Sequence, residues 1–306
     1  MKWKKQGLVF GDHWSQLPVV DSHYTDSSLR VYYSQRIGNK SYPNFIDIDK
    51  NNLNKVINQS DKPIIPLGEL GRFDQAGVMP AEIITVSGIK YLYYIGWSNR
   101  TDVPYFNTIG LAISEDGGEN YRKFSTGPVF GCSHKEPGYT GTISIMIENG
   151  IWRAWYLSCQ KWEKINNIIE PFYDIKYAES TNGIDWEPTG KVCIPLGKDM
   201  GGISQASVFK KDGKYHMMFS HRKKTDYRIN PENSYRIGHA TSNDGISWEV
   251  KDYKCLNIGT EKGETVMVEY PYVIKLNNSH YMFYNGDGFG KTGIFYAKEN
   301  TPMLWK

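Results

Sequence analysis

The feature that most constrains this chain is an internal repeat of about 60 residues. Five strand-like segments carry an aromatic residue at the same place, with successive offsets of 61, 62, 63 and 65 residues. The aligned positions are Tyr33, Tyr94, Tyr156, Phe219 and Tyr284. Recurrence at such regular spacing indicates one supersecondary unit that is repeated along the sequence and packed against its own copies.

Each repeat contains several strands. After the aligned aromatic comes an alternating segment that ends in Asp-Gly or Asn-Gly, at residues 109–118, 175–186 and 237–248, with a degraded copy at 294–300. These dipeptides are strong hairpin signals, because a type I′ turn needs two residues with positive φ. A further strand-like segment precedes each aligned aromatic. Each unit therefore predicts four successive strands, which is the content of one β-propeller blade.

The two ends of the chain complement each other. The last repeat ends at Lys306 without a full fourth strand, and residues 3–10 resemble the fourth strands that begin at Trp186 and Trp248. We therefore predict an all-β fold, a single five-bladed β-propeller domain over residues 1–306. Its N-terminal strand closes the last blade and covers sheet edges that would otherwise be exposed.

Composition and charge exclude several classes of protein. The net charge is only +3 and no long basic run is present, so nucleic acid is not an expected partner. No apolar run suits a signal peptide or a membrane span, which argues against membrane insertion. Four widely spaced cysteines predict free thiols and a cytoplasmic location. No metal-ligand spacing is recognisable, and no cofactor is expected.

In a propeller, the first strand of each blade lines the central channel, and the loops between inner strands surround one end of it. Acids, imidazoles, guanidiniums and indoles should therefore meet there, a mixture that suits a polyhydroxylated ligand. The candidate ligand-binding residues are His13, Gln16, Trp97, His134, Trp162, His221, Arg222, Arg236, Asn285 and Asp287.

Two motifs, at residues 73–80 and 269–273, together with the Asp-Gly-Ile-x-Trp type of turn, resemble those of the five-bladed propeller glycosidases. That superfamily includes arabinanases, β-xylosidases, invertases and levansucrases and, more distantly, mannoside phosphorylases. The whole chain resembles an uncharacterised branch that is met beside bacterial surface-polysaccharide genes. The resemblance implies a carbohydrate-active enzyme with opposed carboxylates. Glu269, in a Glu-x-Pro segment, matches the general acid, and Asp74 or Asp12 is its expected partner.

The sequence departs from this pattern at the second acid, since Leu17 stands where family members usually carry Asp before the first-blade proline. Three interpretations stay open. The first is a glycoside hydrolase or a related glycosyl-transferring enzyme. The second is a non-catalytic carbohydrate-binding or assembly protein of polysaccharide biosynthesis. The third is an enzyme that modifies a nucleotide-linked sugar, with Arg222 and Arg236 near the diphosphate. The ligand is thus a carbohydrate or a sugar nucleotide; the sugar, the linkage and the oligomeric state are left open.

Overall fold

The repeat folds into strands throughout. A computed structural model describes residues 1–11 and 13–300, so Asp12 and residues 301–306 lie outside the described part. The described residues form twenty strands and a four-residue helix, α1 (Asp287–Gly290). In a strand with one solvent-facing side, burial alternates from residue to residue because successive side chains point to opposite faces. The first six residues of β1 (Trp3–Phe10) show this alternation between partly buried and exposed side chains. The prediction of an all-β protein is confirmed.

Four consecutive antiparallel strands make each of the first four units. Unit 1 comprises β2 (Ser15–Asp21), β3 (Ser28–Ile37), β4 (Lys40–Asp49) and β5 (Asn52–Gln59). Unit 2 comprises β6 (Gly77–Val86), β7 (Ile89–Ser98), β8 (Phe106–Ser114) and β9 (Arg122–Lys123). Unit 3 comprises β10 (Thr140–Glu148), β11 (Ile151–Ile165), β12 (Ile168–Ser180) and β13 (Glu187–Ile194). Unit 4 comprises β14 (Met200–Lys211), β15 (Lys214–Lys223), β16 (Arg236–Ser242) and β17 (Glu249–Leu256).

The fifth unit is built from both ends of the chain. It comprises β18 (Glu269–Leu276), β19 (Ser279–Asn285) and β20 (Ile294–Glu299), and β1 pairs antiparallel with β20 as its fourth strand. Single parallel bridges, Ser41 to Gly77 and Tyr173 to Gly202, join unit 1 to unit 2 and unit 3 to unit 4. The strands therefore form two eight-stranded sheets and one four-stranded sheet.

The Asp-Gly and Asn-Gly turns connect neighbouring units. Within each turn a serine hydroxyl accepts the N–H of a glycine with positive φ, as Ser180 Oγ does from Gly183. The carbonyl of that glycine then accepts a hydrogen bond from the second strand of the preceding unit. The three bonds run from Arg30 Nη1 to Gly118 O (2.8 Å), from Tyr93 Oη to Gly183 O (2.7 Å) and from Trp155 Nε1 to Gly245 O (2.6 Å).

The first strands of successive units are also bonded to each other by side chains. Glu82 of β6 accepts the N–H of Ile145 (3.1 Å) in β10, and Ser144 Oγ of β10 accepts the N–H of Val208 (3.1 Å) in β14. Ser207 Oγ of β14 accepts the N–H of Val273 (2.8 Å) in β18. These bonds place the first strands of units 2 to 5 side by side in chain order.

Glu82 is a titrating group in this inner layer. Burial raises the pKa of its carboxyl to about 7, against hydrogen bonds from Tyr272 Oη and the N–H groups of Ile145 and Ile83, which favour the charged form. Between pH 4.5 and 7 the folded protein therefore holds a proton that the unfolded chain has released. The stabilisation is complete below pH 4.5 and is lost as the pH rises through 7.

We accordingly expect the Glu82→Gln variant to show a weaker pH dependence of stability. Between pH 5 and pH 8 the free energy of unfolding of the wild type should fall by about 3 kcal/mol more than that of Glu82→Gln, because each unit of pKa difference is worth about 1.4 kcal/mol. Urea unfolding of both proteins at the two pH values measures this difference. Parallel stability profiles for the two proteins would contradict a titrating Glu82.

Candidate functional site

Every first strand bends at the same point. A β-bulge interrupts the pairing of each first strand with the second strand of its unit, between Gln16 and Val19, Pro80 and Glu82, Thr140 and Ile143, Ser204 and Ser207, and Glu269 and Tyr272. A bulge bends its strand and re-aims the side chains next to it. The five units therefore turn the same short segment toward a shared space.

Three bulge residues adopt positive φ although they are not glycine, namely Leu17 (56°), Gln205 (46°) and Tyr270 (56°). Such conformations are costly for large side chains and persist only where the surroundings enforce them. In each case a side chain of another unit accepts a hydrogen bond from the backbone N–H. The acceptors are Asn285 Oδ1 for Leu17 (2.8 Å), Thr142 Oγ1 for Gln205 (3.0 Å) and Ser220 Oγ for Tyr270 (2.8 Å).

The bulges surround a cavity of about 690 Å³. Its walls combine aromatic rings with uncharged polar groups. The aromatic lining residues are Trp14, Trp97, Tyr105, Tyr139, Tyr173, Tyr227, Tyr235, Tyr270 and Phe289. The amide and hydroxyl lining residues include Gln16, Asn39, Asn99, Asn107, Thr142 and Ser204. A concave site with apolar walls and a few convergent polar groups is the usual form of a small-molecule site.

The charged residues of this lining are Arg36 and Arg228; no Asp or Glu of the described residues belongs to it. Arg228 donates to Glu170 Oε1 (2.6 Å), a carboxylate behind the wall. Arg36 lies over the ring of Trp97, at 4.8 Å from its centroid, and donates to Gly38 O and Ser41 Oγ at 3.3 Å. Burial lowers the pKa of Arg36.

Glu269 is fully buried at the start of β18, and neither of its oxygens has a hydrogen-bond partner within residues 1–11 and 13–300. Burial raises the pKa of its carboxyl well above the usual value. The side chain is not part of the cavity lining, but the next residue, Tyr270, is. The predicted general acid is therefore a buried carboxyl with a raised pKa, one residue from the cavity wall.

Asp74, the predicted partner acid, lies outside this lining. It is buried, with Oδ2 accepting from Lys123 Nζ (2.6 Å) and Tyr94 Oη (3.1 Å). Asp12, the other candidate, lies outside the described residues. The structure thus does not bring Asp74 into the cavity lining.

The contacts of Asp74 recur in two other units. In each, a buried carboxylate binds the tyrosine twenty residues later in the sequence and a lysine. The three sets are Asp74, Tyr94 and Lys123; Glu136, Tyr156 and Lys176; and Glu264, Tyr284 and Lys5. We call them the acid–Tyr–Lys clusters. A contact that recurs in unit after unit is explained by the architecture of the unit.

Two of the predicted binding residues line the cavity, and a third supports it. Gln16 and Trp97 belong to the lining. Trp162 lies behind it, with its ring 5.2 Å from that of Tyr105 and 5.7 Å from that of Tyr139, measured between centroids.

The three predicted histidines lie elsewhere. His13 Nε2 is 2.9 Å from Tyr33 Oη, again twenty residues apart, so in unit 1 a histidine takes the place of the acid. His134 is exposed. His221 Nε2 contacts the carbonyl of Tyr253, and burial lowers the pKa of its ring.

Four other predicted ligand contacts are occupied by the protein itself. Arg222 donates to Tyr173 Oη and to the carbonyls of Lys223 and Pro171, and Arg236 donates to Asn257 Oδ1 and to three carbonyls. Asn285 joins β19 to Ser15 and Leu17 of β2. Asp287 accepts three backbone N–H groups and the hydroxyl of Thr265. Arg222 and Arg236 therefore form no shared open anion site.

Most of the aromatic wall was not predicted. Trp14, Tyr105, Tyr235 and Phe289 come from loops and α1, where the repeat gives no register, and Tyr173 lies within β12, upstream of the repeated segment that begins at residue 175. The one signal for them is the high aromatic content of 14%. Trp14 also donates from Nε1 to the carbonyl of Phe289 (2.7 Å), so two of these rings are fixed to each other across the ends of the repeat.

Two searches of the described residues found nothing. No group of three or more His, Cys, Asp or Glu side chains in residues 1–11 and 13–300 is arranged to hold a metal ion. Over the same ranges, no helix has the length and hydrophobicity needed to cross a membrane.

No family model matches the sequence, but full-length relatives do. The uncharacterized proteins MT1551 and Rv1502 of Mycobacterium tuberculosis are each 32% identical to it over 305 residues, which covers 96% of this chain and 98% of theirs. This protein belongs to the Rv1502 family. A shorter match, 34% identical over 92 residues, covers 28% of this chain and 30% of a β-1,2-mannobiose phosphorylase from Thermoanaerobacter sp..

Solved structures give this member of the Rv1502 family its fold. The structure of a glycoside hydrolase has a TM-score of 0.72 at 16% identity, and the match covers 97% of this chain and 91% of the hydrolase. A GH130 structure, from a family of mannoside phosphorylases that contains glycoside hydrolases, has a TM-score of 0.68 at 12% identity, with coverages of 95% and 85%. The predicted resemblance to propeller glycosidases is confirmed, and the fold is propeller-like.

Proposed function

We propose that residues 1–306 form one closed five-bladed propeller and that its central cavity binds a carbohydrate. Five four-stranded units support the count, and β1 completes the fifth unit by pairing with β20. Closure is supported by Asn285 of unit 5, which bonds to the backbone of Ser15 and Leu17 in unit 1. Four free cysteines fit a cytoplasmic location.

The residues that line the cavity are the main support for a sugar ligand. Aromatic rings present flat apolar faces, while amides and hydroxyls can donate and accept hydrogen bonds with sugar hydroxyls. Gln16, Asn39 and Asn99 line the same cavity as Trp14 and Trp97. The partial match to a mannobiose phosphorylase and the fold shared with GH130 enzymes agree with a glycoside as the ligand.

We further propose that the protein is a glycosyl-transferring enzyme in which Glu269 is the proton donor. A general acid must be protonated at the working pH, and enzymes achieve this for carboxyls by burial. Glu269 fits that condition, since burial raises the pKa of its carboxyl well above the usual value and its oxygens have no hydrogen-bond partner within residues 1–11 and 13–300. An unpartnered buried carboxyl is costly for folding, so its place beside the cavity-lining Tyr270 is best explained by function.

The group that accepts the glycosyl residue is either water, in hydrolysis, or phosphate, in phosphorolysis. Hydrolysis by the usual mechanism needs a second carboxylate that activates water or attacks the sugar. In phosphorolysis, by contrast, phosphate itself attacks the anomeric carbon, the proton of Glu269 goes to the departing glycosidic oxygen, and the phosphate proton restores the acid. A lining with two arginines and no described carboxylate favours the second route.

A turnover assay with disaccharides, including β-1,2-mannobiose, with and without inorganic phosphate, tests this proposal. We expect Glu269→Gln to lower kcat by about a hundredfold with little change in sugar binding, because a general acid acts in the transition state. Trp97→Ala should weaken sugar binding about tenfold. The matched control is Glu82→Gln, which neutralises another fully buried glutamate outside the lining and should retain kcat.

Undiminished turnover by Glu269→Gln would reject its role as the acid. Saturable sugar binding by a wild type that turns over no substrate would favour the non-catalytic interpretation, a binding or assembly protein of polysaccharide biosynthesis.

A further inference from the structure

A second, smaller cavity of about 440 Å³ adjoins the central one. Asn99, which follows β7, lines both of them. Trp97 lines the first cavity and Ser98 the second, because successive residues of a strand point to opposite faces. A ligand in the central cavity therefore has a neighbouring space into which a substituent can extend.

The arginines of the protein divide into two groups. Six of the nine have their guanidinium engaged by a carboxylate or by several oxygen acceptors of the protein. They are Arg30, Arg122, Arg153, Arg222, Arg228 and Arg236. Arg36, Arg72 and Arg100 have no carboxylate partner in residues 1–11 and 13–300, and within these ranges the guanidinium of Arg36 alone of the three donates to protein oxygens, to Gly38 O and Ser41 Oγ at 3.3 Å. Arg36 lines the first cavity, and Arg72 and Arg100 line the second.

Arg36 and Arg100 lie against aromatic rings, and the side chains of Arg72 and Arg100 are exposed. No described Asp or Glu lines either cavity. Arg36 lies over Trp97, and Arg100 lies over Phe106 with its Cζ 4.9 Å from the ring centroid. Stacking on a ring orients the planar guanidinium and leaves its edge N–H donors available. The lowered pKa of Arg36 also indicates a partly desolvated cation that an anion would stabilise.

We propose that Arg36, Arg72 and Arg100 form a subsite for an oxyanion, a phosphate or carboxylate group, that is bound together with the sugar of the central cavity. Guanidinium groups match such groups because two parallel N–H donors meet two oxygens. The Ser98 and Asn99 side chains supply further donors at the junction of the cavities. This inference deepens the proposed function and rests on it for the sugar, while the anion site itself is defined by the arginines.

Calorimetric titration with inorganic phosphate tests the subsite directly. We expect the Arg72→Ala/Arg100→Ala double variant and the Arg36→Ala variant to bind phosphate about tenfold or more weakly than the wild type, because each loses charge-assisted hydrogen bonds. Binding by the wild type should also weaken with added salt. The matched control is Arg122→Ala, which removes an exposed arginine paired with Glu115 and should bind phosphate as the wild type does.

Absence of phosphate binding by the wild type, or equal binding by the arginine variants, would overturn the subsite. Comparison of mannose 1-phosphate with phosphate then tests whether the anion and the sugar are bound together. Tighter binding of the sugar phosphate supports joint occupation of the subsite and the central cavity, and equal binding would contradict it. Loss of phosphate binding in the arginine variants together with full turnover by Glu269→Gln would reject the catalytic proposal alone and retain the subsite.

Discussion

The Lys176→Met variant is expected to unfold with a free energy about 4 kcal/mol lower than that of the wild type. Lys176 is buried in β12 and donates to Glu136, which is only 1% exposed. Methionine keeps most of the apolar stem but removes the ammonium group. The carboxylate is then buried without its counter-ion, a change that typically costs 3–5 kcal/mol. Urea unfolding followed by tryptophan fluorescence measures the difference.

Two further variants separate charge from packing in this acid–Tyr–Lys cluster. Lys135→Met removes the neighbouring pair with Glu187, where both side chains are exposed, and should cost less than about 1 kcal/mol. The Glu136→Gln/Lys176→Met double variant removes both charges and should recover much of the loss, since a neutral amide still bonds to Tyr156 Oη. Equal costs for Lys176→Met and Lys135→Met would show that burial of the pair carries no energetic weight.

The fold could be predicted from the sequence because it depends on recurring local signals. The regular offsets from Tyr33 to Tyr284 give the number of units, and Asn182-Gly183 and Asp244-Gly245 give the hairpins. The fourth strand of the last unit was also readable, since residues 3–10 resemble the other fourth strands and indeed pair with β20. Each of these features belongs to a single unit and recurs in the other units, so it can be recognised in the sequence.

The site was harder to predict because it depends on contacts between units. The spacing of twenty residues between Asp74 and Tyr94 is visible in the sequence and could have marked Asp74 as a structural acid. Its lysine partner is not visible, since Lys123 lies on the fourth strand of its unit while the equivalent Lys176 lies on a third strand. Arg222 likewise had the right residue type and position, but the carbonyl of Pro171 and the hydroxyl of Tyr173 occupy it.

The scaffold and the cavity of this protein differ in character. A bulge recurs in the first strand of every unit, Leu17 and Tyr270 occupy bulge positions with positive φ in the cavity wall, and no described carboxylate lines the cavity. Because no described Asp or Glu lines the cavity, the proposed chemistry depends on charged groups from outside the lining or on the arginines. Among the described residues, Glu269 and the arginines of the two cavities are the groups that we propose for this purpose.

The Trp155→Ala variant is expected to lower the free energy of unfolding by about 4 kcal/mol, by loosening the contact between units 3 and 4. Trp155 is fully buried in β11, and its ring lies 5.8 Å from Tyr177 and 6.2 Å from Trp248, measured between centroids. Truncation of a buried tryptophan removes its transfer free energy and leaves a cavity, which together cost 3–5 kcal/mol. The carbonyl of Gly245 stays bonded through Trp248 Nε1 (3.0 Å), so the loss is one of packing.

Urea unfolding of three variants resolves this effect. Trp155→Phe retains an aromatic ring and should cost about half as much as Trp155→Ala, while Ile168→Ala, on the exposed β11–β12 hairpin of the same unit, should change stability by less than about 0.5 kcal/mol. Because the tryptophan joins the second strand of one unit to the turn of the next, we expect the unfolding transition to broaden as units 3 and 4 uncouple. A cost below about 1 kcal/mol for Trp155→Ala would mean that the hydrogen-bonded turns, and not the buried rings, hold adjacent units together.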